Sequence, residues 1–158
     1  MNPYLLIGLE ATQKSIARLF EEFRQGAYDI RPDPKRFSMR EVIAHLADWE
    51  PIFRERMKTA LDSPGSAIEA YDEGERAIQG DYASKNPLEQ IKAWEEERKK
   101  TIDFLKSISK EDWEKTVEHP ERGTLTIEDI AHTLVCHDLY HLDQLQEMLE
   151  ASKVVDTW

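Results

Sequence analysis

Apolar residues recur along this chain at intervals of three and four, and strand-like alternation is nearly absent, so helices dominate the reading. Four segments carry the pattern. The first runs from about 2 to 25, with Leu5, Leu9, Thr12, Ile16, Leu19 and Phe23 on one stripe and Gly26 as the expected stop. The second runs from about 39 to 62. Ser38 and Glu41 form an S-x-x-E box before it, and Ser63-Pro64-Gly65 ends it. Its stripe is Val42, His45, Trp49, Ile52, Arg56 and Ala60, flanked by Leu46, Phe53 and Met57. The third runs from about 87 to 107, with Asn86 as cap, Pro87 at the first helical position and Glu89 completing the box. Leu88, Ile91, Trp94, Arg98, Ile102 and Leu105 make its stripe. The fourth runs from about 127 to 151 behind a Thr126/Asp129 box, with Ile127, Ile130, Leu134, His137, His141, Leu145 and Met148 in line.

Four helices of this length predict an all-α, antiparallel four-helix bundle within one domain spanning residues 1–158. The connection between the second and third helices, residues 63 to 86, is long and holds Gly65, Gly74 and Gly80. A short helix is expected there around Ile68 to Gln79. A link of that length is either a site rim or a solvated crossover. Ser109 and Asp112 predict one more capped turn.

Charge narrows the function. The formal net charge is −11, which repels phosphate backbones and anionic membranes, so neither nucleic acid nor a membrane is the expected partner. No segment approaches the ~20 apolar residues of a membrane span, and the N-terminus lacks the basic and apolar regions of a signal peptide. One cysteine, Cys136, rules out an intrachain disulfide and suits a reducing compartment. A soluble cytoplasmic protein is the expectation.

The histidines do not follow the hydrophobic logic. In HTLVCHDLYHLDQL (132 to 145), His137 and His141 take core positions between Leu134 and Leu145. His45 does the same between Val42 and Trp49. Residues at i and i+4 share one helix face about 6 Å apart. Two imidazoles so placed can share a metal, and a third from a facing helix leaves positions open for water or substrate. The alternative is three hydrogen-bonded core histidines, since a spacing-four pair also arises by chance. Both readings stand on residue positions alone. His132 points off that stripe and reads as surface. His119, in EHPERG, reads as a solvated loop residue with the site rim as the alternative. Cys136 reads as a small buried filler.

Other candidates surround the triad. Asp48 lies one turn beyond His45, and Asp138 adjoins His137; either can accept an imidazole N–H, while Asp138 equally suits the surface. Trp49, Trp94 and Tyr140 suit pocket walls or plain core. Arg98 breaks the third stripe and suits an anionic substrate group, a snorkelling side chain, or a pair with Asp48 or Glu95. Asp48 and Glu50 are the reachable general bases.

FSMREVIAHLADWE (37 to 50) followed by GTLTIEDIAHTLVCHDLYHLDQL (123 to 145) resembles the DinB/YfiT-like family of four-helix proteins. The likeness covers an aromatic-Ser helix entry, an H-L-x-D segment and a terminal helix with H-x-x-x-H and a trailing Q-L. This family is distinct from the translesion polymerase that shares its name. The resemblance implies a divalent metal, nickel or zinc, held by His45, His137 and His141. It also implies a homodimer acting on a small molecule. Some members are S-transferases that use a low-molecular-weight thiol such as bacillithiol or mycothiol; others are described as metal-dependent hydrolases. Two non-enzymatic readings stand beside these: a small-molecule-binding stress protein, and a dimeric helical module with structural histidines.

Overall fold

Helix boundaries follow capping chemistry wherever a cap is present. The structure, a computed structural model, describes residues 1–155. Helix α2, Met39–Asp62, and helix α4, Pro87–Ser107, begin and end where their caps predict. Ser38 Oγ accepts from the Glu41 N–H at 3.3 Å, and Glu41 accepts from the Ser38 N–H at 2.8 Å. Asn86 Oδ1 accepts from the N–H groups of Leu88 and Glu89 ahead of Pro87. Helix α5, Ile127–Val155, starts behind the reciprocal Thr126/Asp129 box and runs past the expected end at 151.

Helix α1 departs further from expectation. It spans Leu5–Glu21, with no side-chain cap at Tyr4. Gly26 is not its stop: the helix has already ended, and Gly26 lies in a 3-10 turn over Gln25–Ala27. Phe23 remains buried as the stripe predicts, but from the turn rather than the helix. Leu88 is a second departure. It sits in the first turn of α4 and is 53% exposed, while Pro87 beside it is buried.

Helices α1, α2, α4 and α5 form the four-helix bundle. Helix α2 packs against α4 and α5, and α1 against α5 and α4. The 63-to-86 link contains a short helix, α3, Glu73–Gln79, capped by Asp72, followed by a 3-10 turn over Tyr82–Ser84. A small sheet, not anticipated from the sequence, closes one end. It comprises β1 Ser66–Ala67, β2 Thr116–His119 and β3 Gly123–Thr126. β1 pairs parallel to β2, and β2 antiparallel to β3 with His119 opposite Gly123. Gly65 and Gly123 take positive φ values of 81° and 75°, which release α2 into β1 and return the hairpin into β3. The Ser109–Asp112 turn forms as expected and leads into β2.

The core divides into two apolar clusters. One gathers around Leu9, Phe53, Ile102 and Trp113, the other around Ile16, Ile43, Trp94 and Leu145. Between them lies a buried ionic network centred on Arg98, which is 1% exposed. Its Nε and Nη2 donate to Glu50 at 2.8 Å each. Its Nη1 and Nη2 donate to Asp138 at 2.7 and 2.9 Å, and Nη1 also reaches the Leu9 carbonyl at 2.9 Å. All five guanidinium N–H bonds are thus used. Trp94 Nε1 donates to Glu50 at 3.2 Å, and the Thr12 hydroxyl donates to Asp138. Arg98 therefore neither snorkels nor pairs with Asp48 or Glu95; its partners come from α2 and α5. Asp138 is a fully buried ion-pair partner, not a surface charge.

Removing one member of a buried ion network leaves the others uncompensated, at a cost of about 3–5 kcal/mol. Arg98→Met is expected to lower the unfolding free energy by that amount, read as a lower urea midpoint at unchanged m. A loss under about 1 kcal/mol would show that the network contributes little to the folded state.

Candidate metal centre

Helices α2 and α5 bring His45, His137 and His141 together. His45 is fully buried, His141 is 4% exposed and His137 is half-buried. His45 Nε2 lies 2.8 Å from His137 Nε2, which lies 3.2 Å from His141 Nε2. Two nitrogens on a tetrahedral zinc, each at 2.0–2.1 Å from it, stand about 3.3 Å apart. Two of the three nitrogen pairs therefore stand near the spacing of a metal's donor shell, and all three ligand atoms lie within 4.8 Å of one another.

The three rings cannot satisfy one another. His141 Nδ1 lies 2.9 Å from Gln144 Oε1, which fixes its proton on Nδ1 and leaves Nε2 as a lone pair. A single Nε2–H on His137 cannot be well aimed at both neighbours. Among the described residues the buried side-chain polar atoms without a partner are His45 Nδ1, His137 Nδ1 and Trp49 Nε1, all at this one place. Unsatisfied buried groups are rare elsewhere in folded proteins and mark functional sites. A divalent cation facing the three Nε2 atoms uses every lone pair at once, so the donor set fits a metal.

Electrostatics prepare the same state. Burial, reinforced by the neighbouring imidazoles, holds His45 down to about 2. Burial, with His141, Arg98 and Arg122 nearby, holds His137 to about 3. Burial and Arg36 outweigh the Gln144 contact and hold His141 to about 4. All three imidazoles are neutral at physiological pH, which is the ligating form.

The aromatic surround is dense. Trp49 and Phe37 lie 5.6 Å from the His45 ring, and Phe53 lies 5.6 Å from the His137 ring. Tyr140 lies 5.1 Å from the His141 ring, on an exposed edge. Trp49 belongs to the core and also borders the cavity against His137. Trp94 is core and serves the Arg98 network. A cavity of about 110 Å³ opens against His137, bounded by Trp49, Phe53, Tyr71, Glu73 and His119. A second, of about 180 Å³, opens against His141 and Gln144, and Glu73 borders it too. The long link is therefore a site rim.

Several expected roles are reassigned. Asp48 does not contact an imidazole. It accepts from Arg76 at 2.8 and 2.9 Å and from the Tyr82 hydroxyl at 2.5 Å, tying the link to α2. Nor does Asp138 serve the histidines, because Arg98 and Thr12 occupy it. Glu50 is sequestered by Arg98 and Trp94, so it is no general base. His119 is buried rather than solvated: it ends β2, and its Nδ1 accepts from the Glu121 N–H at 3.2 Å. Cys136 is exposed, since a step of 100° from His137 carries it to the outer face of α5. His132 is half-buried and off the site. Gln144 and Glu73 were missed as site residues. Gln144 stands three residues after His141, a spacing that places both on one face.

Comparison with known proteins agrees with this architecture. A family model described as the DinB superfamily matches residues 8–145, so the chain belongs to that superfamily. Two curated proteins of Oceanobacillus iheyensis, each described as a "putative metal-dependent hydrolase", are similar. One is 31% identical over 113 residues, covering 71% of this chain and 64% of the relative. The other is 24% identical over 129 residues, covering 81% and 68%. The chain thus spans about two thirds of the curated relatives' length. Among solved structures, YfiT from Bacillus subtilis, described as a "probable metal-dependent hydrolase with an unusual four-helix bundle topology", superposes with a TM-score of 0.87 at 20% identity, covering 94% of this chain and 86% of that one. A mycothiol-dependent maleylpyruvate isomerase superposes with a TM-score of 0.75 at 13% identity, covering 89% and 59%. Among the described residues no helix is long and apolar enough to cross a membrane.

The depressed histidines carry a pH signature. Unfolded imidazoles bind protons near pH 6.5, while the folded ones stay neutral to about 4 or below. Their contribution to stability is complete above about pH 6.5 and is lost as pH falls toward 4. Between pH 6.5 and 5, above most carboxylate titration, the metal-free protein is expected to lose denaturant resistance. His45→Gln is expected to flatten that slope by about one proton's worth, ~1.4 kcal/mol per pH unit. An identical slope in wild type and variant would refute the neutral, buried assignment of His45.

Proposed function

We propose that His45, His137 and His141 hold one divalent ion, zinc or nickel. On this reading the chain directs a nucleophile, water or a low-molecular-weight thiol, at a small electrophile. The carrying observation is the convergence of three buried Nε2 atoms in a pocket whose only unpartnered buried polar groups, among the described residues, are at that spot. When bound, the ion supplies a nucleophile at neutral pH by lowering the pKa of a water or thiol. The names of the curated relatives support water; the name of the isomerase neighbour supports a thiol.

The chain's own residues set the conditions. Gln144 Oε1 holds the His141 proton on Nδ1, which keeps Nε2 free and the ring oriented. Trp49 and Phe53 wall the inner side of the cavity and exclude bulk water. Glu73 borders both cavities that meet the histidines, so its carboxylate stands where a released proton must leave. Partial burial and then the adjacent Asp72 raise the Glu73 pKa toward that task, against Arg122, which lowers it. Glu73 therefore replaces Asp48 and Glu50 as the proton acceptor in this reading.

Elemental analysis of protein purified without chelator is the deciding experiment. About one zinc or nickel per chain is expected, absent from His137→Ala. Gln144→Leu is expected to weaken metal affinity about 10- to 100-fold. Neither metal on purification nor uptake on reconstitution would return the histidines to a structural role. With metal established, parallel ester and thiol-conjugation assays separate water from thiol. In the active assay, Glu73→Gln is expected to lower kcat about 100-fold at unchanged metal content. Full activity in that variant would remove Glu73 from the mechanism.

A further inference from the structure

Arginines in this acidic protein are generally paired. With 32 Asp and Glu against 21 Lys and Arg, carboxylates are abundant. Arg98 takes Glu50 and Asp138, Arg54 takes Glu97, Arg76 takes Asp48, Arg40 takes Asp29 and Arg31 takes Glu41. The exposed Arg18 and Arg122 are exceptions among the described residues, and so is Arg56. It is half-buried on the stripe of α2, yet it makes no ion pair among the described residues. Its Nη2 donates to the Glu69 carbonyl at 2.8 Å. That leaves most of a five-donor fork uncommitted.

The surroundings of Arg56 are built for a ligand. Its guanidinium lies 6.0 Å from the Trp49 ring centre and 5.8 Å from that of Tyr71, so aromatic rings and the Glu69 carbonyl surround it where a carboxylate would pair it. Arg56 and Tyr71 border both the cavity of about 110 Å³ against His137 and an adjoining one of about 390 Å³. The larger is of ordinary small-ligand size and is lined by Pro51, Ile52 and Ile68, with Glu55, which accepts from Lys58, and Glu69 also on its border. Arg122 borders the smaller cavity as a second cation. His119, whose Nδ1 accepts from backbone, carries its proton on Nε2 as a third donor. Burial first, and then Arg56 and Arg122, keep His119 neutral. Glu73 and Glu121 also border this cavity, but neither reaches an arginine there within ion-pair distance.

We propose that Arg56 binds a carboxylate of the substrate at the junction of the two cavities, fixing a small carboxylate-bearing molecule with its reactive end toward His137. A bidentate carboxylate–guanidinium contact supplies both charge and orientation. The site deepens the metal-enzyme reading and rests on it only for what the bound molecule meets. The carboxylate belongs either to an electrophile or to a thiol co-substrate; Arg56 recognises the same group in both.

Calorimetric titration of as-purified protein tests the site with two matched pairs: 3-phenylpropanoate against 3-phenylpropanamide, and N-acetylcysteine against its carboxamide. At least one carboxylate is expected to bind ten-fold or more tightly than its neutral partner. Arg56→Gln is expected to erase that preference at unchanged metal content, and Arg56→Lys to restore only part of it. Preference in the phenyl pair assigns the carboxylate to an electrophile, and preference in the thiol pair to a co-substrate. Arg122→Gln, at an exposed position, is expected to weaken carboxylate binding two- to five-fold and serves if Arg56→Gln does not fold. Equal binding within both pairs overturns the proposal, as does a preference that survives Arg56→Gln because the carboxylate then sits on the metal. His137→Ala separates the two readings: it strips the metal while the Arg56-dependent preference persists.

Discussion

Arg98 is the point on which the bundle depends. Its side chain leaves α4 and is held by Glu50 of α2, Asp138 of α5 and the Leu9 carbonyl of α1, so one guanidinium ties all four bundle helices. Apolar stripes tolerate small rotations and slides, because dispersion contacts are not directional. A buried fork with every N–H committed does not. Glu50 is five residues from His45, and Asp138 adjoins His137. Holding those two carboxylates on Arg98 fixes the rotation of α2 and α5. That same rotation turns His45 and His137 toward each other on the neighbouring face. A buried ion network is a poor source of net stability but a good device for register, and here the register is what the site requires.

The second constraint is electrostatic. The chain is strongly acidic, yet the histidines sit among cations: Arg98 and Arg122 depress His137, and Arg36 depresses His141. Burial is the larger cause in each case. The consequence is a cluster of three lone-pair donors that protons do not contest near neutrality. Acidic residues are kept off the rings by being used elsewhere, Asp48 on Arg76 and Tyr82, and Asp138 on Arg98 and Thr12. This arrangement yields an all-nitrogen donor set, not a mixed carboxylate one.

Much of this was legible in the residues, and the failures have a common cause. The boundaries of α2 and α4 were readable because Ser38/Glu41 and Asn86/Pro87 state where backbone donors are satisfied. Helix α1 has no such cap, and its end was misplaced. The triad was readable because imidazoles on an apolar stripe conflict with burial unless something pairs them. What was not readable depends on how helices rotate against one another. Arg98 chose Glu50 and Asp138 over Asp48 and Glu95 by interhelical placement that periodicity does not encode. The sheet was missed because its strands are four residues or fewer, although T-V-E-H-P-E-R-G-T-L-T carries β-branched alternation around a Gly-containing turn. Missing that hairpin also misread His119, since a strand end buries what a loop would expose.

The link between α2 and α4 follows from the same logic. A 24-residue excursion from 63 to 86 would add only entropy cost if it were solvated. Instead it is fastened twice to one carboxylate: Arg76 from α3 and Tyr82 from the next turn both close on Asp48, one helical turn from His45. β1 fastens its start to β2, through Gly65 N–H to Thr116 O at 2.8 Å and Ile68 N–H to Glu118 O at 3.0 Å. Between those two anchors the chain has little freedom, and the residues it carries there are Tyr71 and Glu73. Both border the cavity that opens against His137. Four helices can aim three imidazoles at one point, but they leave that point open at the end of the bundle. The anchored link adds a wall to that opening, setting Tyr71 beside Trp49 and Phe53 of α2 and bringing the Glu73 carboxylate to its border.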